Sequence, residues 1–163
     1  MIIKRVFQIG LITVAIIASV FYASHQKKKD SQQFTCDGTL VDSVHFNDPI
    51  FSYQVVHRLV INADGSARRT INGFAYSYGN RYTYNRTISY NYTRKQNEGH
   101  IYLLKVTRVL KTGADDIPSE LEDKYLSFEK LGSVRIMSIS ETPSGDKLFS
   151  SASGPFFICD VIT

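Results

Sequence analysis

Arg81–Thr93 reads RYTYNRTISYNYT. Tyr82, Tyr84, Arg86, Ile88, Tyr90 and Tyr92 fall on one face of a period-two pattern. Arg81, Thr83, Asn85, Thr87, Ser89, Asn91 and Thr93 fall on the other. Successive side chains of a strand point to opposite faces, so the pattern predicts one long, half-buried β-strand. Tyr and Thr suit the pleated surface of such a strand.

Working outward, Tyr53–Ala63 and His100–Leu110 are β-rich with mixed faces. Turn chemistry separates the segments at Asp64-Gly65, Gly79-Asn80, Asn97-Glu98-Gly99 and Ser144-Gly145-Asp146. The spacing predicts strands near 35–46, 53–63, 67–78, 81–93, 100–110, 133–141, 147–152 and 156–162, in an antiparallel meander. One helix is expected over Asp115–Leu126, with acids and Pro118 near its start and Leu121, Tyr125 and Leu126 on one stripe. The fold class is all-β with one short helix: a small antiparallel β-barrel or strongly curved sheet.

Cys36 and Cys159 stand near the two ends of this β-rich region, both in strand-like apolar surroundings. An even count suits a disulfide in an oxidising compartment; the alternative is two separate buried thiols. Pairing the first and last strands of a barrel would bring the two together, and a closed loop of that length stabilises by ~4–5 kcal/mol in the chain-entropy limit.

The segment from Val6 to Ser24, VFQIGLITVAIIASVFYAS, has no charge and is about long enough to cross a hydrocarbon core. A cleaved signal peptide is the alternative, but Phe21 or Ile16 would occupy the position where cleavage wants a small residue. The expected organisation is a short cytoplasmic N-terminus (1–5), a transmembrane anchor (6–24), a polar linker (25–33) and a periplasmic β-rich domain (34–163). Lys4 and Arg5 on one side oppose Lys27, Lys28 and Lys29 on the other, so the positive-inside rule roughly cancels. The cysteines decide the orientation: single-pass in a bacterial inner membrane, with the C-terminal domain in the periplasm.

The formal charge is +4. Those five Lys and Arg flank the hydrophobic run; without them 14 basic residues face 15 acidic ones. The domain is near neutral and lacks the basic footprint that nucleic acid demands, so no nucleic-acid partner is expected. Ser150-Ser151-Ala152-Ser153-Gly154 is not a nucleophile elbow, and phosphate-binding glycine loops are missing. Two distant cysteines and four scattered histidines lack metal-ligand spacing. His45, His57 and His100 each read as isolated surface or core residues. The expectation is a non-enzyme with no metal and no cofactor.

The tyrosine face is the most informative feature. Tyr82, Tyr84, Tyr90 and Tyr92, with Tyr76 and Tyr78 on the preceding strand, read as ordinary core or as an apolar cavity or interface with polar tips. Arg86 shares this face, and a buried Arg needs a partner, for which an anionic headgroup is one candidate. Lys147–Ser153 reads as a weak strand beside the closing one. A seam there, at Phe149 and Ser151, would let a partner's strand add to the edge.

The short basic start and hydrophobic span, Phe34-Thr35-Cys36, the Tyr- and Asn-rich hairpin Tyr76–Tyr92, Ile101-Tyr102-Leu103-Leu104-Lys105-Val106-Thr107, the Asp115–Leu126 helix and Phe156-Phe157-Ile158-Cys159 together resemble the FidL-like family of small enterobacterial inner-membrane proteins. The layout is similar to that of ToxS-type accessory proteins, which stabilise membrane-bound regulators of the ToxR and CadC type. The resemblance implies an accessory protein that binds such a regulator, with a bile-salt-like or lipid ligand as a further expectation. It implies no active residues. The rival expectation is a stand-alone small-ligand or lipid carrier of the cell envelope.

Overall fold

The computed structural model describes residues 33–44, 51–95 and 100–162. Eight antiparallel strands close into a barrel in sequence order: β1 (Phe34–Val44), β2 (Phe51–Ile61), β3 (Ser66–Ser77), β4 (Asn80–Arg94), β5 (Ile101–Lys111), β6 (Val134–Glu141), β7 (Lys147–Ser151) and β8 (Gly154–Ile162). Of the two expected forms, the closed barrel is the one adopted. Closure removes the exposed edges of the sheet. A short helix α1 (Ser119–Tyr125) and a 3-10 turn (Ser127–Glu129) lie in the β5–β6 connection. The expected anchor (6–24) and linker lie outside the described residues, apart from Gln33. Among the described residues, no helix is long and apolar enough to cross a membrane.

Alternation decides which side chains face inward. On β4, Tyr84, Arg86, Ile88 and Tyr90 are buried and their neighbours are not. β2 is cleaner still, with Phe51, Tyr53, Val55, His57, Leu59 and Ile61 all buried. In β3 the inward set is small: Ala67, Ile71, Ala75 and Ser77 are buried. A Cβ on Gly73 would stand 2.2 Å from the Gln54 carbonyl oxygen, so β2 and β3 meet there at backbone distance.

Among the described residues, β1 and β8 close the barrel through three pairs, Thr35–Asp37 with Asp160–Ile162. Farther up, β8 crosses Gly38 so closely that a Cβ there would lie 2.5 Å from the Ile158 carbonyl oxygen. The Cys36–Cys159 disulfide links the two strands at this short joint, with Cα atoms 5.4 Å apart. β7 is hydrogen-bonded to both β6 and β8, so the open edge expected at Lys147–Ser153 is absent.

The real irregularity is on β5. β6 pairs only with Ile101–Lys105, so β5 from Thr107 to Lys111 rises above it. The 112–133 connection fills this side. The helix starts at Ser119 rather than at Asp115, because Asp115 and Asp116 are used elsewhere. β4 outruns β5 above Arg86, and the two aspartates cover its free donors: Thr83 N–H donates to Asp116 Oδ1 (2.5 Å) and Asn85 N–H to Asp115 Oδ2 (3.1 Å).

Candidate ligand cavity

The barrel is wider than its inward side chains can fill. Ala67, Gly73 and Ala75 on β3 bring little volume, and β6 and β7 are short. The result is an internal cavity of about 560 Å³. Its apolar wall includes Leu40, Leu59, Leu104, Met137, Phe149, Phe156 and Phe157. Tyr53, Tyr90 and Tyr125 add rings with hydroxyl tips. Asp42, Lys124, Ser127 and Ser153 are exposed as well as cavity-lining, and they mark the mouth at the rim that carries the β7–β8 turn.

Three basic side chains enter from the inward faces of β2, β3 and β6. Arg69 Nε donates to His57 Nδ1 at 3.0 Å. An imidazole nitrogen that accepts a bond is unprotonated, so in the neutral ring Nε2 carries the hydrogen. That Nε2 is buried and has no hydrogen-bond partner among the described residues. Burial, then the charges of Arg69 and Arg135, push the His57 pKa down to about 2 and keep the ring neutral. Arg69 also pairs with Glu129 at 3.2 Å. Arg135 stands opposite Leu104 in the β5–β6 register, which turns it inward. Its guanidinium lies over the rings of Phe128 (4.4 Å) and Phe156 (5.7 Å). Among the described residues no carboxylate lies within ion-pairing distance of it.

Glu129 is the hinge between this cavity and a second polar cluster. It is buried, accepts a bond from Tyr84 Oη and faces both Arg69 and Arg86. Arg86 is held by Asp115 through two bonds of 2.8 Å and by Glu122 at 2.5 Å. The anionic partner that Arg86 calls for is thus internal. The 112–133 connection is clamped to the barrel by carboxylates, and Tyr125 is stacked on Phe51 at 4.8 Å.

The tyrosines expected to share one face separate. Tyr76 lies on the outer face of β3 and is exposed; Tyr78 is exposed in the β3–β4 turn with φ 48°. Tyr82 is half-buried against the core, and Tyr84 is consumed by Glu129. Tyr92 donates to the Asn62 carbonyl at 2.6 Å and braces the β2–β3 turn. Tyr90 reaches the cavity, and so do Phe149 and Ser151, from inside rather than along an edge. Cys36 and Cys159 form the disulfide. His57, Arg69, Glu129 and Arg135 were not anticipated. A histidine at an inward position of the 53–63 strand was a usable signal for His57, but the mixed faces assigned to that strand hid it.

No curated protein matches the chain. The family model described as "FidL-like putative membrane protein" matches residues 73–159, which run from the middle of β3 into β8 and include Arg135 and most of the cavity's β6–β8 wall. With more than half of its length matched, the chain belongs to the FidL-like family of membrane proteins.

Proposed function

We propose that the barrel binds a small amphipathic molecule and presents it at a membrane surface. The observation that carries this reading is the internal cavity, about 560 Å³, apolar along its wall with a few convergent polar groups. Cavities of that volume and lining suit small ligands of lipid or steroid size. Small up-and-down barrels of eight strands have room for one such molecule. The Cys36–Cys159 disulfide supports a periplasmic location, since such bonds persist in oxidising compartments.

A second reading is the accessory role at a membrane-bound regulator of the ToxR or CadC type, implied by the family resemblance. The outer face favours it at β5 and β6, where Leu103 and Ile136 are cross-strand partners and both exposed, with exposed Val134 beside them. Apolar surface of this kind is used in contacts between proteins.

One experiment separates the two. The full chain is extracted from its native membrane with a styrene–maleic acid copolymer, without detergent, and examined by native mass spectrometry. Ligand binding predicts a bound small molecule in a one-to-one ratio, lost in Met137→Trp, whose ring would occupy the cavity. A co-extracted protein with no small molecule would favour the accessory reading, and a chain with neither would overturn the proposal.

A further inference from the structure

The cavity wall is unevenly charged. Arg69, Lys124 and Arg135 line it, and Asp42 is the one acid among the described lining residues. Asp42 lies at the mouth and accepts a bond from Tyr53 Oη at 3.2 Å. Arg69 is neutralised from behind by Glu129. Arg135 has aromatic faces for neighbours but no carboxylate within reach among the described residues. A partly buried guanidinium in such surroundings is stabilised by any anion that joins it, because Coulomb attraction strengthens as water is excluded. Two side chains of the same wall carry buried donors with no hydrogen-bond partner among the described residues: the His57 Nε2–H and the Tyr125 hydroxyl. Buried donors without partners cost free energy unless a ligand or water completes them.

We infer that Arg135 and His57 form a headgroup subsite that takes the carboxylate of an amphipathic ligand, with the ligand's apolar body along Leu104, Met137 and Phe149. The inference rests on the proposed cavity function and adds the ligand's charge and orientation. A carboxylate accepts from a guanidinium and from an N–H donor and offers nothing that would clash with either. A neutral alcohol satisfies one donor and adds no counter-charge to the cation. A cationic amphiphile is repelled. Burial and the nearby Arg69 charge lower the Arg135 pKa, the mark of a cation that gains from an added anion.

The test uses the full chain in lipid nanodiscs and two probes with the same chain and different heads, decanoate and decan-1-ol. Binding is measured by titration calorimetry with empty nanodiscs subtracted. Wild type should bind decanoate about tenfold more tightly than decanol, as expected for one charge-assisted contact. Arg135→Gln should bring decanoate down to the decanol level and leave decanol unchanged. Arg135→Lys should restore most of the difference, which shows that a folded variant is being compared. Equal affinity for the two heads in wild type, or an unchanged decanoate affinity in Arg135→Gln, would overturn the subsite while leaving an apolar carrier intact. If neither probe binds and the extracted chain holds no small molecule, both the subsite and the cavity reading fall.

Discussion

At the scale of single residues, two inward-facing arginines have opposite fates. Arg86 is surrounded by Asp115, Glu122 and Glu129 and is structural. Removing one member of such a buried cluster leaves the others uncompensated, which typically costs ~3–5 kcal/mol. Arg135 has no such set among the described residues. His57 differs again, since it is held neutral by burial between two guanidinium groups. Its pKa is about 2 in the fold and 6.5 when unfolded. As pH falls through 6.5 the unfolded chain takes up a proton and the folded one does not. The stability from neutral His57 is therefore present above pH 6.5 and lost progressively below it. Urea unfolding at pH 7 and pH 5 should show the wild type losing up to about 2 kcal/mol more than His57→Gln over that interval. Identical pH dependence would mean that the ring is not shielded. Arg69 and Arg135 are the charged groups that act on it, and both are arginines, which stay protonated across that window.

At the scale of elements, the barrel depends on close approaches that side-chain patterns do not advertise. β2 and β3 touch backbone to backbone at Gly73, where an added methyl would overlap the Gln54 carbonyl oxygen and Val55 Cα. Neither can yield as a flexible side-chain end would. Gly73→Ala should lower stability by ~1–3 kcal/mol, the usual cost of overpacking, visible as a lower urea midpoint with unchanged slope. An unaltered midpoint would show that the strands separate freely there. The β5–β6 connection carries a different lesson. Its acids looked like the start of a helix, yet Asp115 and Asp116 cover the exposed edge of β4, and Asp115 also clamps Arg86. Local helix signals lost to a tertiary demand, the need to satisfy strand donors beyond the end of β5.

At the scale of the whole molecule, closure is the weak point. The β1–β8 joint has three residue pairs among the described residues, and the disulfide lies across it with 123 residues of sequence separation. Crosslinking so long a loop restricts the unfolded chain strongly. Cys36→Ser should lower the unfolding free energy by ~2–5 kcal/mol, and dithiothreitol should do the same to wild type but nothing further to the variant. Equal stability of all three would mean that the strand pairing alone closes the barrel. The same closure explains why no seam opens at β7: the strand is short but has neighbours on both sides, and Phe149 is directed to the interior.

Strand count, strand order, the inward face of Arg81–Thr93 and the pairing of the two cysteines were legible in the amino-acid sequence. Each depends on local alternation, on turn residues or on chain order in a meander, and neighbouring residues carry that information. The cavity was not legible. His57, Arg69 and Arg135 lie on three different strands, and β3 and β6 are not neighbours in the sheet. Only the curvature and closure of the barrel bring these side chains to one space. Whether Arg86 finds a ligand or an internal carboxylate was likewise decided by where the 112–133 connection folds, because the charge of a buried group is balanced by whatever the tertiary structure sets beside it.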